Sequence, residues 1–124
     1  MPTLLDPLRL DVENLARPEG RVVGSPGHAA AHDYLLGRLR QLDLAPYRHG
    51  SLDLPYRIGG QEFHNLVGVV PGKDRARRPL LIGAHYDSVL PACCADDNAA
   101  AVAIALSAAG STKTNAYRSA STAR

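Results

Sequence analysis

The chain has 124 residues, enough for one small domain with a single core. Its 45% hydrophobic and 21% charged content is ordinary for a globular protein, and a formal net charge of +2 gives no case for a nucleic-acid partner. No apolar run is long enough to cross a bilayer, and the N-terminus lacks the pattern of a signal peptide, so no membrane partner and a cytoplasmic location are expected.

In chain order, Asp6 as cap and Pro7 at the first helical position predict a helix over 7–16, with Leu5, Leu8, Val12 and Leu15 on one face. Arg17-Pro18-Glu19-Gly20 ends it, and residues 21–27 form a link. Ser25 and Pro26 then start a helix over 26–42. Its buried stripe is Ala31, Leu35, Leu39 and Leu42, while Arg38, Arg40 and Gln41 face water. His28 and His32 lie one turn apart, a spacing that suits a metal. With no third ligand near them in the sequence, they read as surface histidines.

From Pro46 the pattern favours short strands, near 46–50, 54–58 and 62–70, with Gly59-Gly60 as a hairpin turn. His49 and His64 lie on or beside these strands and read as structural. Arg75-Ala76-Arg77-Arg78 belongs to a solvated loop. The adjacent Cys93 and Cys94 cannot staple distant segments and match no zinc-finger spacing, so free thiols are expected. An Ala-rich helix over 98–109 is expected to be buried on most faces. Ser111 to Arg124 shows no amphipathic period and reads as a disordered tail, which leaves 1–110 as the folded domain.

The chemistry gathers around residues 79–98. The apolar run Leu80 to Ala84 predicts a buried strand over 79–85 that ends in His85-Tyr86-Asp87. Alternation along a strand puts His85 and Asp87 on one side and Tyr86 on the other. Ligands bind beyond the carboxyl ends of strands in open α/β sheets. A His-x-Asp there, followed a dozen residues later by Asp96-Asp97, suits zinc, because imidazole and carboxylate are good ligands and a neighbouring carboxylate can orient the imidazole. On the residues alone a plainer reading stays open: Asp97 or Asn98 caps the next helix, and His85 and Asp87 share a strand-end hydrogen bond.

Gly83-Ala84-His85-Tyr86-Asp87-Ser88, followed by Ala95-Asp96-Asp97-Asn98-Ala99-Ala100-Ala101-Val102-Ala103, resembles the paired signature of the co-catalytic di-zinc aminopeptidases. That family also includes glutamate carboxypeptidase and the glutaminyl cyclases. Arg21 to Pro26 and Asn65 to Gly72 look like it as well, so the resemblance runs from about Asp6 to Ala109. It implies an α/β fold, a mixed central sheet flanked by helices, present as the first half of a three-layer zinc-exopeptidase sandwich. It further implies two zinc ions, with His85 binding one, Asp97 bridging both, and Asp87 orienting His85 from behind. The implied substrate is the amino end of a peptide or an amino-acid derivative.

The chain departs from the family pattern at three points. No Glu follows Glu62, no Asp follows Asp97 and no His follows His85, so the Glu base and the later zinc ligands are missing from this sequence. Cys93-Cys94 stands where the family usually has Pro-Gly, which costs backbone freedom in the loop that positions Asp97. After about Ala109 the residues cease to look like the family. Three functions follow from these features: a zinc aminopeptidase segment that is inactive alone, a non-catalytic module that self-associates through uncovered surface, and a mononuclear site using His85, Asp97 and Cys94.

Overall fold

The computed structural model describes Thr3 and residues 5–121, with side chains as far as Asn115. Three helices carry the core: α1 (Leu5–Leu15), α2 (Pro26–Gln41) and α3 (Ala100–Ser121). The α2 boundary follows from local chemistry, since the Ser25 hydroxyl accepts from the His28 N–H at 3.2 Å and Pro26 occupies the first turn. Helix α1 begins earlier than expected. Asp6 lies within its first turn, and its carboxylate accepts from the Thr3 N–H at 2.7 Å.

Leu15 of α1, Ala31, Leu35 and Leu39 of α2, and Val102 and Leu106 of α3 form the core with Leu44 and Ala99. Leu5 does not join this stripe and is exposed. Arg38 does not face water either. It forks onto Asp11 through contacts of 2.7 and 3.1 Å, and the Tyr34 hydroxyl donates to the same carboxylate at 2.5 Å. Asp11 is 1% exposed, so the Arg38 charge and the Tyr34 hydroxyl together satisfy a carboxylate that burial would otherwise penalise.

The strands form two antiparallel pairs instead of one mixed central sheet. β1 (Ala45–Pro46) pairs with β4 (Gly68–Val69), and β2 (Asp53–Ile58) pairs with β3 (Gln61–Leu66). The class is α/β, with small sheets. Gly59 and Gly60, at φ 56° and 82°, make the primed turn that matches the twist of the β2–β3 hairpin. Between the two pairs, residues 47–52 loop out and turn at His49 and Gly50, both at positive φ, with Arg48 bridging Ser51.

Two further expectations are corrected. Residues 79–85 form no strand: Leu80 and Leu81 are 88% exposed, and no other strand lies alongside to complete a ladder. An apolar run records a demand for burial, and nothing among the described residues meets it here. Residues 111–121 continue α3 and are not a separate tail. Once the buried Ala-rich turns have nucleated the helix, each added residue gains a hydrogen bond at little cost. The Lys113 ammonium also reaches back to the Asp43 carboxylate, at 2.5 Å, and to the Asp43 carbonyl. Residues 122–124 of the expected tail lie outside the described residues.

Candidate metal centre

Two segments that make no strand or helix of their own bring His85, Asp87 and Asp97 together. Both are held by Arg21, whose role the sequence reading missed by treating residues 21–27 as a link. Arg21 is 1% exposed. Its Nε donates to the Tyr86 carbonyl at 2.6 Å, and its Nη1 to the carbonyls of Leu15 at 2.6 Å and Cys93 at 3.1 Å. Its Nη2 donates to the Cys94 carbonyl at 3.0 Å. The Arg21 N–H donates to the Ser88 hydroxyl at 2.8 Å, and the Ser88 N–H returns a bond to the Arg21 carbonyl at 3.0 Å. One planar cation thus fixes the end of α1, the His85–Ser88 segment and the loop before Asp97. A buried Arg satisfied wholly by main-chain carbonyls leaves no charge pattern in a sequence, which is why only contact geometry reveals it.

Glycine makes the approach of that loop feasible. Gly20 sits at φ +70°, and a Cβ there would lie 2.7 Å from both the Ala92 nitrogen and the Leu90 oxygen. The loop ends at Cys94, which adopts φ 41° and ψ 52°. That left-handed conformation is the one a glycine tolerates best, so a Cys here costs backbone energy. The Cys94 thiol lies 4.0 Å from the Leu90 carbonyl. Asp97 and Asn98 follow in an irregular turn over Ala95–Ala99 that departs from helical φ/ψ, and α3 starts beyond it.

His85 stands between two carboxylates. Its Nδ1 is 3.3 Å from Asp87 Oδ1, and its Nε2 is 3.2 Å from Asp97 Oδ1. Two ligands bonded to a tetrahedral zinc at about 2.0–2.1 Å are separated by roughly 3.3 Å. The Nε2–Asp97 separation therefore fits a shared cation. The hydrogen bond at Nδ1 goes to the Asp87 main-chain carbonyl, also at 3.3 Å, and an acceptor on this nitrogen favours the tautomer that leaves Nε2 unprotonated for a metal. The side chains of His85 and Asp97 are 54% and 84% exposed, so an ion held there would remain open to water.

A second group lies near Tyr86, whose ring stacks on His28 with centroids 4.9 Å apart. There His32 of α2 and His64 of β3 converge on Asp53 of β2: His32 Nε2 is 2.9 Å from Oδ2, and His64 Nδ1 is 2.8 Å from Oδ1. His32 is thus not a surface histidine, and its partners arrive from the hairpin, whereas His28 packs on the Tyr86 ring and does not join the group. Burial lowers the pKa of His28. Burial works the same way on His32, but hydrogen bonds to Asp33 and Asp53 outweigh it and raise its pKa. The Tyr86 hydroxyl is buried without a partner among the described residues. Its pKa is pushed up to about 12, by burial first and then by the charges of Asp53 and Asp87.

A His and an Asp at this spacing on an α/β frame, with Asp87 behind the His, are donors that could hold a metal ion. Residues 65–122, which contain all three side chains, match the family model described as Peptidase family M28, a family of co-catalytic zinc aminopeptidases and carboxypeptidases. That segment is similar to this zinc metallopeptidase family. Nothing matches among curated proteins or among solved structures. Among the described residues no helix is long and apolar enough to cross a membrane.

Proposed function

We propose that His85 and Asp97 are zinc ligands of an aminopeptidase-type centre and that Asp87 orients His85. In the family's chemistry, zinc supplies the Lewis acidity and the activated water that attack a peptide carbonyl. Asp97 is the ligand suited to bridging two ions, and the substrate class is the free amino end of a peptide. The observation that carries this reading is the 3.2 Å spacing of His85 Nε2 and Asp97 Oδ1, with Asp87 on the opposite nitrogen. Within this sequence no Glu or His follows the site, so the general base and the remaining ligands are lacking. The chain by itself is therefore a zinc-binding segment without peptidase turnover.

Calorimetric zinc titration of the chain tests the first half of the proposal, and an aminoacyl-nitroanilide assay tests the second. Zinc affinity should fall at least about tenfold in Asp97→Ala. Unchanged affinity in that variant would remove Asp97 from the site, and measurable turnover by the wild-type chain would overturn the inactivity.

A second reading, a self-associating module, is favoured by Leu80, Leu81 and Ile82, which stand 88%, 88% and 54% exposed on consecutive positions. Light scattering coupled to size exclusion separates the two readings. A discrete dimer that Leu81→Lys dissociates supports the module, and a monomer at all concentrations refutes it.

A further inference from the structure

We propose that His32, Asp53 and His64 form a separate binding site for a first-row divalent cation, a three-ligand His–Asp–His centre between α2 and the β2–β3 hairpin. The three donor groups come from three different elements and lie within 4.8 Å of one another. Their side chains are only 18–25% exposed. Local sequence does not explain such convergence: His32 and Asp53 are 21 residues apart and reach each other only because the hairpin lies against α2.

The outer face of the cluster is the stronger argument. Each imidazole has one nitrogen directed at Asp53 and the other directed at a further carboxylate. His32 Nδ1 is 3.1 Å from Asp33 Oδ1, and His64 Nε2 is 3.3 Å from Glu62 Oε1. Metal-bound imidazoles characteristically donate their remaining N–H to a carboxylate, which fixes the tautomer and raises basicity. In both histidines the outer carboxylate can hold the proton-bearing nitrogen and leave the inner one free for a cation. Three carboxylates against two imidazoles also leave the cluster net negative whether or not the rings are protonated, and a divalent ion offsets that charge. Two imidazoles, one carboxylate and an open position suit zinc, cobalt or iron(II) better than the all-oxygen preferences of calcium or magnesium.

This proposal does not rest on the His85–Asp97 reading, and the experiment keeps them apart. The full chain carrying His85→Ala and Asp97→Ala is titrated with Co2+ and followed by its visible d–d absorption. It should retain about one bound equivalent. Adding His64→Gln should weaken that binding at least about tenfold while the circular dichroism spectrum is unchanged. In wild-type protein, where no variant has to fold, Co2+ should shift and broaden the imidazole resonances of His32 and His64. Loss of all Co2+ binding in the folded His85→Ala/Asp97→Ala variant would overturn the proposal. So would His32 and His64 resonances that stay fixed at saturating Co2+.

Discussion

Arg21→Lys is the substitution that probes the architecture of the centre most directly. The guanidinium satisfies four main-chain carbonyls, those of Leu15, Tyr86, Cys93 and Cys94, from three nitrogens spread across a plane. An ammonium keeps the charge but concentrates its donors on one atom, which can reach about two of the four. Only the bond to Leu15 is fully buried and the other three are part-buried, so the two carbonyls left unpaired cost at most about 1–3 kcal/mol each. Part of that is relieved by local relaxation, so a net loss of about 3 kcal/mol is expected. For a chain of this length such a loss lowers the thermal midpoint by roughly 10 °C. Urea unfolding followed by circular dichroism reads the loss as a shifted midpoint with an unchanged slope. Arg21→Met, which leaves all four carbonyls unpaired, should lose more than Arg21→Lys. If Arg21→Lys costs less than about 0.5 kcal/mol, the ordinary range for an uninvolved surface position, Arg21 is not the clamp described.

Three other outcomes follow from particular contacts. Cys94→Gly should stabilise the chain by about 1 kcal/mol, because it relieves a left-handed residue, and destabilisation in the same urea assay would contradict the assigned backbone. Gly20→Ala should destabilise by about 2–4 kcal/mol, since the added Cβ combines positive-φ strain with contact against unyielding main chain; a neutral result in thermal melts would mean the 90–92 loop does not pack there. The Tyr34 hydroxyl has its pKa raised to about 12, by burial first and then by Asp11, so its contribution is complete below pH 10.0 and is lost as pH rises through about 12. Ultraviolet titration should therefore show the highest-pH part of the phenolate signal shrinking in Tyr34→Phe, and an identical curve would count against the Tyr34–Asp11 contact.

The helices were readable because their signals are local. Ser25, Pro26 and the Ala31–Leu35–Leu39 stripe mark α2 by nearest-neighbour chemistry, and Gly59-Gly60 marks the hairpin in the same way. The proximity of His85, Asp87 and Asp97 was readable for a different reason, from their spacing as a motif in the sequence. Long-range partners were not readable. Nothing near Arg38 announces Asp11, nothing near His32 announces Asp53 and His64, and nothing near Arg21 announces the carbonyls of Cys93 and Cys94. The expected strand over 79–85 failed on the same ground, because composition specifies a side chain's preference for burial and leaves open whether another strand exists to receive it.

The open segment at 79–84 bears on how the molecule meets proteases. Chain that lies outside both helices and ladders can enter an extended cleavage groove without first breaking hydrogen bonds, and Arg75 and Arg77 just before it are exposed trypsin sites, whereas Arg78 is shielded by the Pro79 that follows it. A nick there would sever the covalent link between the hairpin and the segment bearing His85 and Asp97. The bonds from Arg21 to Tyr86, Cys93 and Cys94 cross that break. The two pieces would thus stay together after cleavage, separating only once the fold is denatured.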